Sequence, residues 1–147
     1  MQTIASKSKS SEKSREPVII IPVYQPESAL IDIIEKLIKN TLSPIILVDD
    51  GSSIEHRQTF ELANASKRVT LLTHKINQGK GAALKTAFHY FIEHFGQEDL
   101  GVVTVDADGQ HKTEDVMRVI ASLKSHPDQM TLGSREFDEK VPFRSRF

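Results

Sequence analysis

The chain has 147 residues, one domain's worth and enough for a real core, and 38% of them are hydrophobic. With 19 lysines and arginines against 20 aspartates and glutamates, the formal charge of -1 gives no electrostatic footprint for nucleic acid or an anionic membrane surface. The absence of cysteine excludes disulfides, thiolate metal sites and cysteine nucleophiles, and it fits a reducing compartment, so cytoplasm is the expected location. No apolar run approaches the ~20 residues of a membrane helix, and the lysine-rich N-terminus lacks the apolar core of a signal peptide.

Residues 1–16, "MQTIASKSKSSEKSRE", are dominated by serine, lysine and glutamate and are expected to form a disordered polar tail. From Pro17 onward short apolar runs alternate with segments of helical period. The run Val18 to Tyr24, "VIIIPVY", is rich in β-branched residues, as a parallel strand covered on both faces must be. Leu30, Ile33, Ile34, Leu37 and Ile38 then fall at helical spacing, and "IILV" after Pro44 predicts a second strand. Ser52 and Glu55 have capping-box spacing, which predicts a helix to about Ala65, and "VTLLT" predicts a third strand.

Leu84, Ala87, Phe88, Phe91, Ile92 and Phe95 form a further helical stripe, followed by a fourth strand from Val102. Thr113 is expected to cap a helix with Glu114 and Asp115 in its first turn, where acids suit the dipole, and with Val116, Val119, Ile120 and Leu123 facing inward. "MTLGSR" predicts a fifth strand. Strands alternating with helices imply an α/β domain with a mainly parallel sheet, whose ligands bind beyond the carboxyl ends of its strands.

The predicted strands end in "PVYQPE", "DDGSS", "HKINQGKG", "DADGQH" and "GSRE", so polar residues and glycines gather on one edge. Taken singly, most of these have plain readings. Asp49, Asp50, Gly51 and Ser52 suit a turn. Gly79, Lys80 and Gly81 match neither standard glycine-rich phosphate loop and suit a helix start. His111 has no partner at metal-ligand spacing, and Tyr24 suits a core. Asp106 and Asp108 differ, because adjacent carboxylates repel and Thr113 is available for capping. A hard divalent ion, Mg²⁺ or Mn²⁺, resolves that repulsion, with Gln110 positioned to add an amide oxygen and Gly109 to turn the chain. A dinucleotide-binding oxidoreductase is disfavoured, since "PVYQPES" holds no glycine where its fingerprint belongs.

"VIIIPVYQPE", "LVDDGSS", "NQGKGAALKTAF", "VDADGQH" and "GSRE", in this order and spacing, resemble the family-two glycosyltransferases of GT-A fold, above all the polyprenyl-phosphate (dolichyl-phosphate mannose or glucose synthase-like) branch. The resemblance implies a three-layer α/β/α, Rossmann-like nucleotide-binding domain. It further implies that Pro22, Tyr24, Glu27, Asp49 and Asp50 hold the nucleotide, with Lys80 near it. Asp106, Asp108 and Gln110 carry the metal in this reading, Arg135 and Arg144 meet the diphosphate, and Asp108 and Arg135 act in catalysis. The implied reaction is an inverting transfer of a hexose from a UDP- or GDP-sugar to a polyprenyl-phosphate or similar acceptor at the membrane surface, in the service of cell-envelope polysaccharide. An ionised phosphate acceptor has little need of a general base.

Family members continue past the point corresponding to Phe147. Residues 17–147 therefore match their donor-binding part, with the sheet expected to be incomplete at its C-terminal end and relatives of full length expected to attach to the cytoplasmic membrane. The alternative reading is a truncated, catalytically silent nucleotide-binding or interaction module.

Overall fold

A computed structural model of the chain describes residues 15–95, 101–108 and 112–131. Its centre is strand β1 (Val18–Val23), where Val18, Ile19, Ile20 and Ile21 are all fully buried. Helix α1 (Ala29–Asn40) leads to β2 (Ile45–Asp49), and a 3-10 turn (Ile54–His56) with α2 (Arg57–Ala63) leads to β3 (Val69–Thr73). Helix α3 (Lys80–His94) then precedes β4 (Val102–Thr104), which is followed by α4 (Thr113–Ser125).

The four strands are parallel in the order β3-β2-β1-β4, with Ile19 opposite Ile45 on one side and Val103 on the other. Successive crossovers thus carry the chain outward from β1 to β3, and α3 brings it back to the free side of β1. The side-chain period of two divides β1 between two cores. Ile19, Ile21 and Val23 pack with Leu30, Ile34 and Leu37 of α1, Phe60 and Ala63 of α2, and Val116 and Ile120 of α4. Val18 and Ile20 pack with Ile46, Val48 and the alanines Ala83 and Ala87 of α3. The expected three-layer arrangement follows: three helices on one face and α3 on the other. Each fully buried Ile or Leu contributes roughly 1.5–3 kcal/mol through removal of apolar surface from water.

Two side chains join the layers across long stretches of sequence. Arg68, just before β3, donates from both terminal guanidinium nitrogens to the carbonyls of Ile38 and Thr41, satisfying the C-terminus of α1. Lys124 of α4 reaches Glu16 at 2.6 Å, tying the start of the domain to its last described helix.

Several local expectations are corrected. Ser52 does not form a capping box with Glu55; its hydroxyl accepts the backbone N–H of Gln25 at 2.8 Å, and the 3-10 turn intervenes before α2. Lys112, not Thr113, is the N-cap residue of α4, and Thr113 is the first helical residue. Ile92 is 72% exposed, because α3 meets the sheet through Ala83 and Ala87, whose face Ile92 does not share. Tyr24 lies beyond the end of β1 and is exposed rather than in the core. Of the expected fifth strand, Met130 and Thr131 are not in a strand, and residues 132–135 lie outside the described residues, as do residues 1–14 of the expected 1–16 tail.

Gly51, at φ +74°, turns the chain after β2, and a Cβ there would stand 2.2 Å from the Ile76 carbonyl carbon and 2.4 Å from the Asn77 nitrogen. Gly79, at φ +90°, has open space where its Cβ would be. Gly79→Ala is therefore expected to cost only backbone strain, about 1–3 kcal/mol, whereas Gly51→Ala adds a clash with backbone. Melting temperatures check this: Gly51→Ala is expected to melt well below Gly79→Ala, at about 2–4 °C per kcal/mol, and equal values would contradict the close approach.

Candidate functional site

Because the strands are parallel, all their carboxyl ends lie on one edge, and β1 is the point at which the strand order reverses, with β2 on one side and β4 on the other. An open sheet presents its crevice there, since the connections leave the two sides of β1 in opposite directions. Gln25, just past β1, adopts φ +48°, uncommon for a residue with a side chain. The turn that follows β2 holds it there, through the bond from Gln25 N–H to Ser52. Asp49 serves the same turn, accepting the Ser52 N–H at 2.8 Å.

Asp50 is 2% exposed, and its carboxylate is held by three partners. Oδ1 accepts the Gln78 N–H at 2.9 Å and lies 2.7 Å from Nδ1 of His74, while Oδ2 accepts the Gly79 N–H at 2.7 Å. His74 Nε2 in turn lies 2.8 Å from the Thr86 hydroxyl, one helical turn and a half into α3. Burial by itself pushes the Asp50 carboxyl up, but the bonds from Gln78, His74 and Gly79 outweigh it and hold the group below the usual aspartate value. The end of β2 therefore fixes both the loop 74–79 and the start of α3.

Across β1, the chain leaving β4 carries Asp106, half-buried, and Asp108, exposed. Lys80, the first residue of α3, places Nζ 2.5 Å from Asp106 Oδ1, with side-chain exposures of 59% and 38%. Between these walls lies a cleft of about 500 Å³ whose lining includes Pro22, Tyr24, Glu27, Asp50, Lys80, Asp106 and Asp108. The structure thus brings seven of the expected site residues to one place. Asp49, by contrast, bonds its own turn through Oδ1 and is not among the cleft lining. Gln110, His111, Arg135 and Arg144 lie outside the described residues.

Sequence reading missed Gln25, Asn77, Gly79 and Ala83 as lining residues. Asn77 occupies its Oδ1 with the Gly79 N–H at 2.9 Å. Its neighbouring glycine-lysine-glycine run was the available signal. The described lining carries four carboxylates, Glu27, Asp50, Asp106 and Asp108, against one ammonium, Lys80, so the cleft attracts cations. Carboxylate oxygens one residue apart suit hard Mg²⁺ or Mn²⁺, and a cation, the Lys80 ammonium, already lies on one of them. Among the described residues no group of three His, Cys, Asp or Glu assembles, so such an ion would complete its shell with water, phosphate oxygens or residues beyond those described.

The lowered pKa of Asp50 has a consequence for stability. A group whose folded pKa lies below its unfolded value, about 3.9 for aspartate, stabilises the fold above that pH and loses the contribution as pH falls through the folded value. Asp50→Asn puts an amide donor where a carboxylate accepts, with an expected loss of about 2–4 kcal/mol at neutral pH. Thermal melts from neutral to acid pH check this: the wild-type advantage is expected to be constant above about pH 5 and to shrink below about pH 4. A gap independent of pH would contradict it.

Against known proteins, the family model described as "Glycosyl transferase family 2" matches residues 18–146. The chain is 31% identical over 136 residues to a UDP-N-acetylglucosamine–dolichyl-phosphate N-acetylglucosaminyltransferase of Methanococcus voltae, covering 80% of this chain and 51% of that protein. It is 31% identical over 124 residues to an undecaprenyl-phosphate 4-deoxy-4-formamido-L-arabinose transferase of Proteus mirabilis, covering 80% and 36% respectively. An uncharacterised protein of Methanocaldococcus jannaschii is 30% identical over 124 residues, covering 84% and 48%. The chain thus spans about half the length, or less, of these relatives. With its motifs on one edge of a parallel sheet and the family match running almost from end to end, the chain belongs to glycosyl transferase family 2.

Proposed function

We propose that this chain is the donor-binding part of an inverting glycosyltransferase that moves a hexose from a nucleoside diphosphate to a polyprenyl phosphate, with Mg²⁺ or Mn²⁺ held by Asp106 and Asp108. The observation that carries this reading is the cleft itself: an acidic lining at the reversal point of the sheet, with one lysine and two adjacent carboxylates at its mouth. The carboxylates of Glu27, Asp106 and Asp108 in the described lining disfavour a bare diphosphate, which supports the reading that a cation accompanies it. The names of the relatives, which act on dolichyl and undecaprenyl phosphate, support a lipid-phosphate acceptor.

In this reading Pro22, Tyr24, Glu27 and Asn77 form the nucleotide wall, and Asp50 shapes it from behind by fixing the loop 74–79. The metal, when bound, supplies charge neutralisation on the departing nucleoside diphosphate. Lys80 stands where it can pair with the same phosphates, and Arg135 and Arg144 are assigned there by resemblance. An acceptor phosphate oxygen attacks the anomeric carbon from the face opposite the leaving group; the C–O bond to the diphosphate breaks with its electron pair, and configuration inverts. The acceptor oxygen is already ionised, so no residue has to remove a proton. No helix among the described residues is long and apolar enough to cross a membrane, and in this reading the chain meets its lipid acceptor at the cytoplasmic membrane surface.

The test is a melting series with UDP and with GDP, with and without Mn²⁺. At about 100 times the dissociation constant, ligand is expected to stabilise the fold by about 2.7 kcal/mol, or about 5–10 °C at this size. The double substitution Asp106→Ala with Asp108→Ala is expected to abolish the metal-dependent part. A double variant that shifts as far as wild type would overturn the metal assignment.

A further inference from the structure

Lys80 and Asp106 lie on opposite walls of the cleft. The backbone at the start of α3 is fixed from the β2 side, through the Asp50 bonds to Gln78 and Gly79, while Asp106 follows β4 on the far side of β1. The lysine side chain therefore spans the mouth, and its ammonium lies 2.5 Å from a carboxylate oxygen that the proposed function gives to the metal. An ammonium at that distance from the oxygen disfavours a divalent ion on it, because the two cations repel one another.

We infer that Lys80 is an exchangeable counter-ion: it occupies the cation position on Asp106 until a nucleoside diphosphate draws it to the phosphates, and so makes metal and nucleotide bind as a coupled pair. This rests on the metal reading above and deepens it by naming the residue that links the two ligands. The strength of the contact suits exchange. A pair this exposed is worth at most about 1 kcal/mol, enough to weaken metal binding about fivefold but not to prevent it. The diphosphate offers Lys80 a more highly charged partner than one carboxylate, and the phosphates then complete the metal shell. Coupling of this kind is reciprocal, so nucleotide tightens metal by the same factor as metal tightens nucleotide.

The experiment measures the dissociation constant of Mn²⁺ alone, by the electron paramagnetic resonance of free Mn²⁺, and of UDP with and without Mn²⁺. It uses wild type, Lys80→Met, Lys80→Arg, and the Asp106→Ala, Asp108→Ala double variant. Lys80→Met keeps the length of the side chain and removes its charge at an exposed position, so the fold is expected to survive, as a melting curve checks. The expected result is that Lys80→Met binds Mn²⁺ alone about fivefold more tightly than wild type, binds UDP less tightly, and loses most of the mutual enhancement, while Lys80→Arg behaves as wild type. If Lys80→Met binds Mn²⁺ with unchanged or weaker affinity, while the double aspartate variant loses it, the exchange is wrong and the metal site stands. If Mn²⁺ binding is absent, or is indifferent to the two aspartates, both readings fall.

Discussion

The buried carboxylate of Asp50 is the constraint on which the rest of the site depends. It lies just beyond β2, with 2% of its surface exposed, and an unpartnered charge there would be costly. Its partners are the N–H groups of Gln78 and Gly79 and the ring of His74, so satisfying the charge requires the chain after β3 to fold back over the end of β2. Gly51 makes that approach feasible, since any side chain would collide with the backbone of Ile76 and Asn77. Once the loop is seated, α3 must start beside the cleft, and Lys80 and Asn77 come to line it. A residue that the resemblance assigns to the nucleotide thus acts in this structure first as a structural anchor.

The two sides of the cleft differ in how firmly they are held, and that difference matches their chemistry. The β2 wall is built from part-buried hydrogen bonds running from Asp50 through His74 to Thr86. The β4 wall ends in carboxylates that are half-buried and exposed, and one of them meets a lysine that is itself largely exposed. A rigid wall suits recognition of a nucleotide of fixed shape. A solvent-exposed ion pair suits the exchange inferred above. Among the described residues the lining between the walls is acidic, which is why the proposed function gives a cation a place in it.

Much of the architecture was legible because local pattern and tertiary role agree. The β-branched runs at Val18 and Ile45 are buried on both faces, and "VTLLT" forms β3 over its full length. The stripe of α1 was legible for the same reason: Leu30, Ile34 and Leu37 are buried together. Ile92 misled because periodicity was read without knowing which face is anchored. It falls five residues beyond Ala87, about 140° around the helix, and so points away from the sheet. The capping-box spacing at Ser52 misled because a tertiary donor, Gln25 N–H, claims the hydroxyl. At the site, the motifs disclosed which residues gather on the edge but not what they do to one another. His74 and Asp50 are 24 positions apart, and Lys80 and Asp106 are 26 apart. Such pairs are set by the strand order, in particular by the return of α3 across the sheet, which no local spacing records.

We propose above that this cleft takes a nucleoside diphosphate only together with a divalent ion. Isothermal titration of UDP into the chain, in Mn²⁺ and in chelator, tests it most directly. Saturable binding in Mn²⁺ that is lost in chelator is expected, because the lining among the described residues carries more carboxylates than ammonium groups. Equal affinity for UDP in Mn²⁺ and in chelator would contradict it.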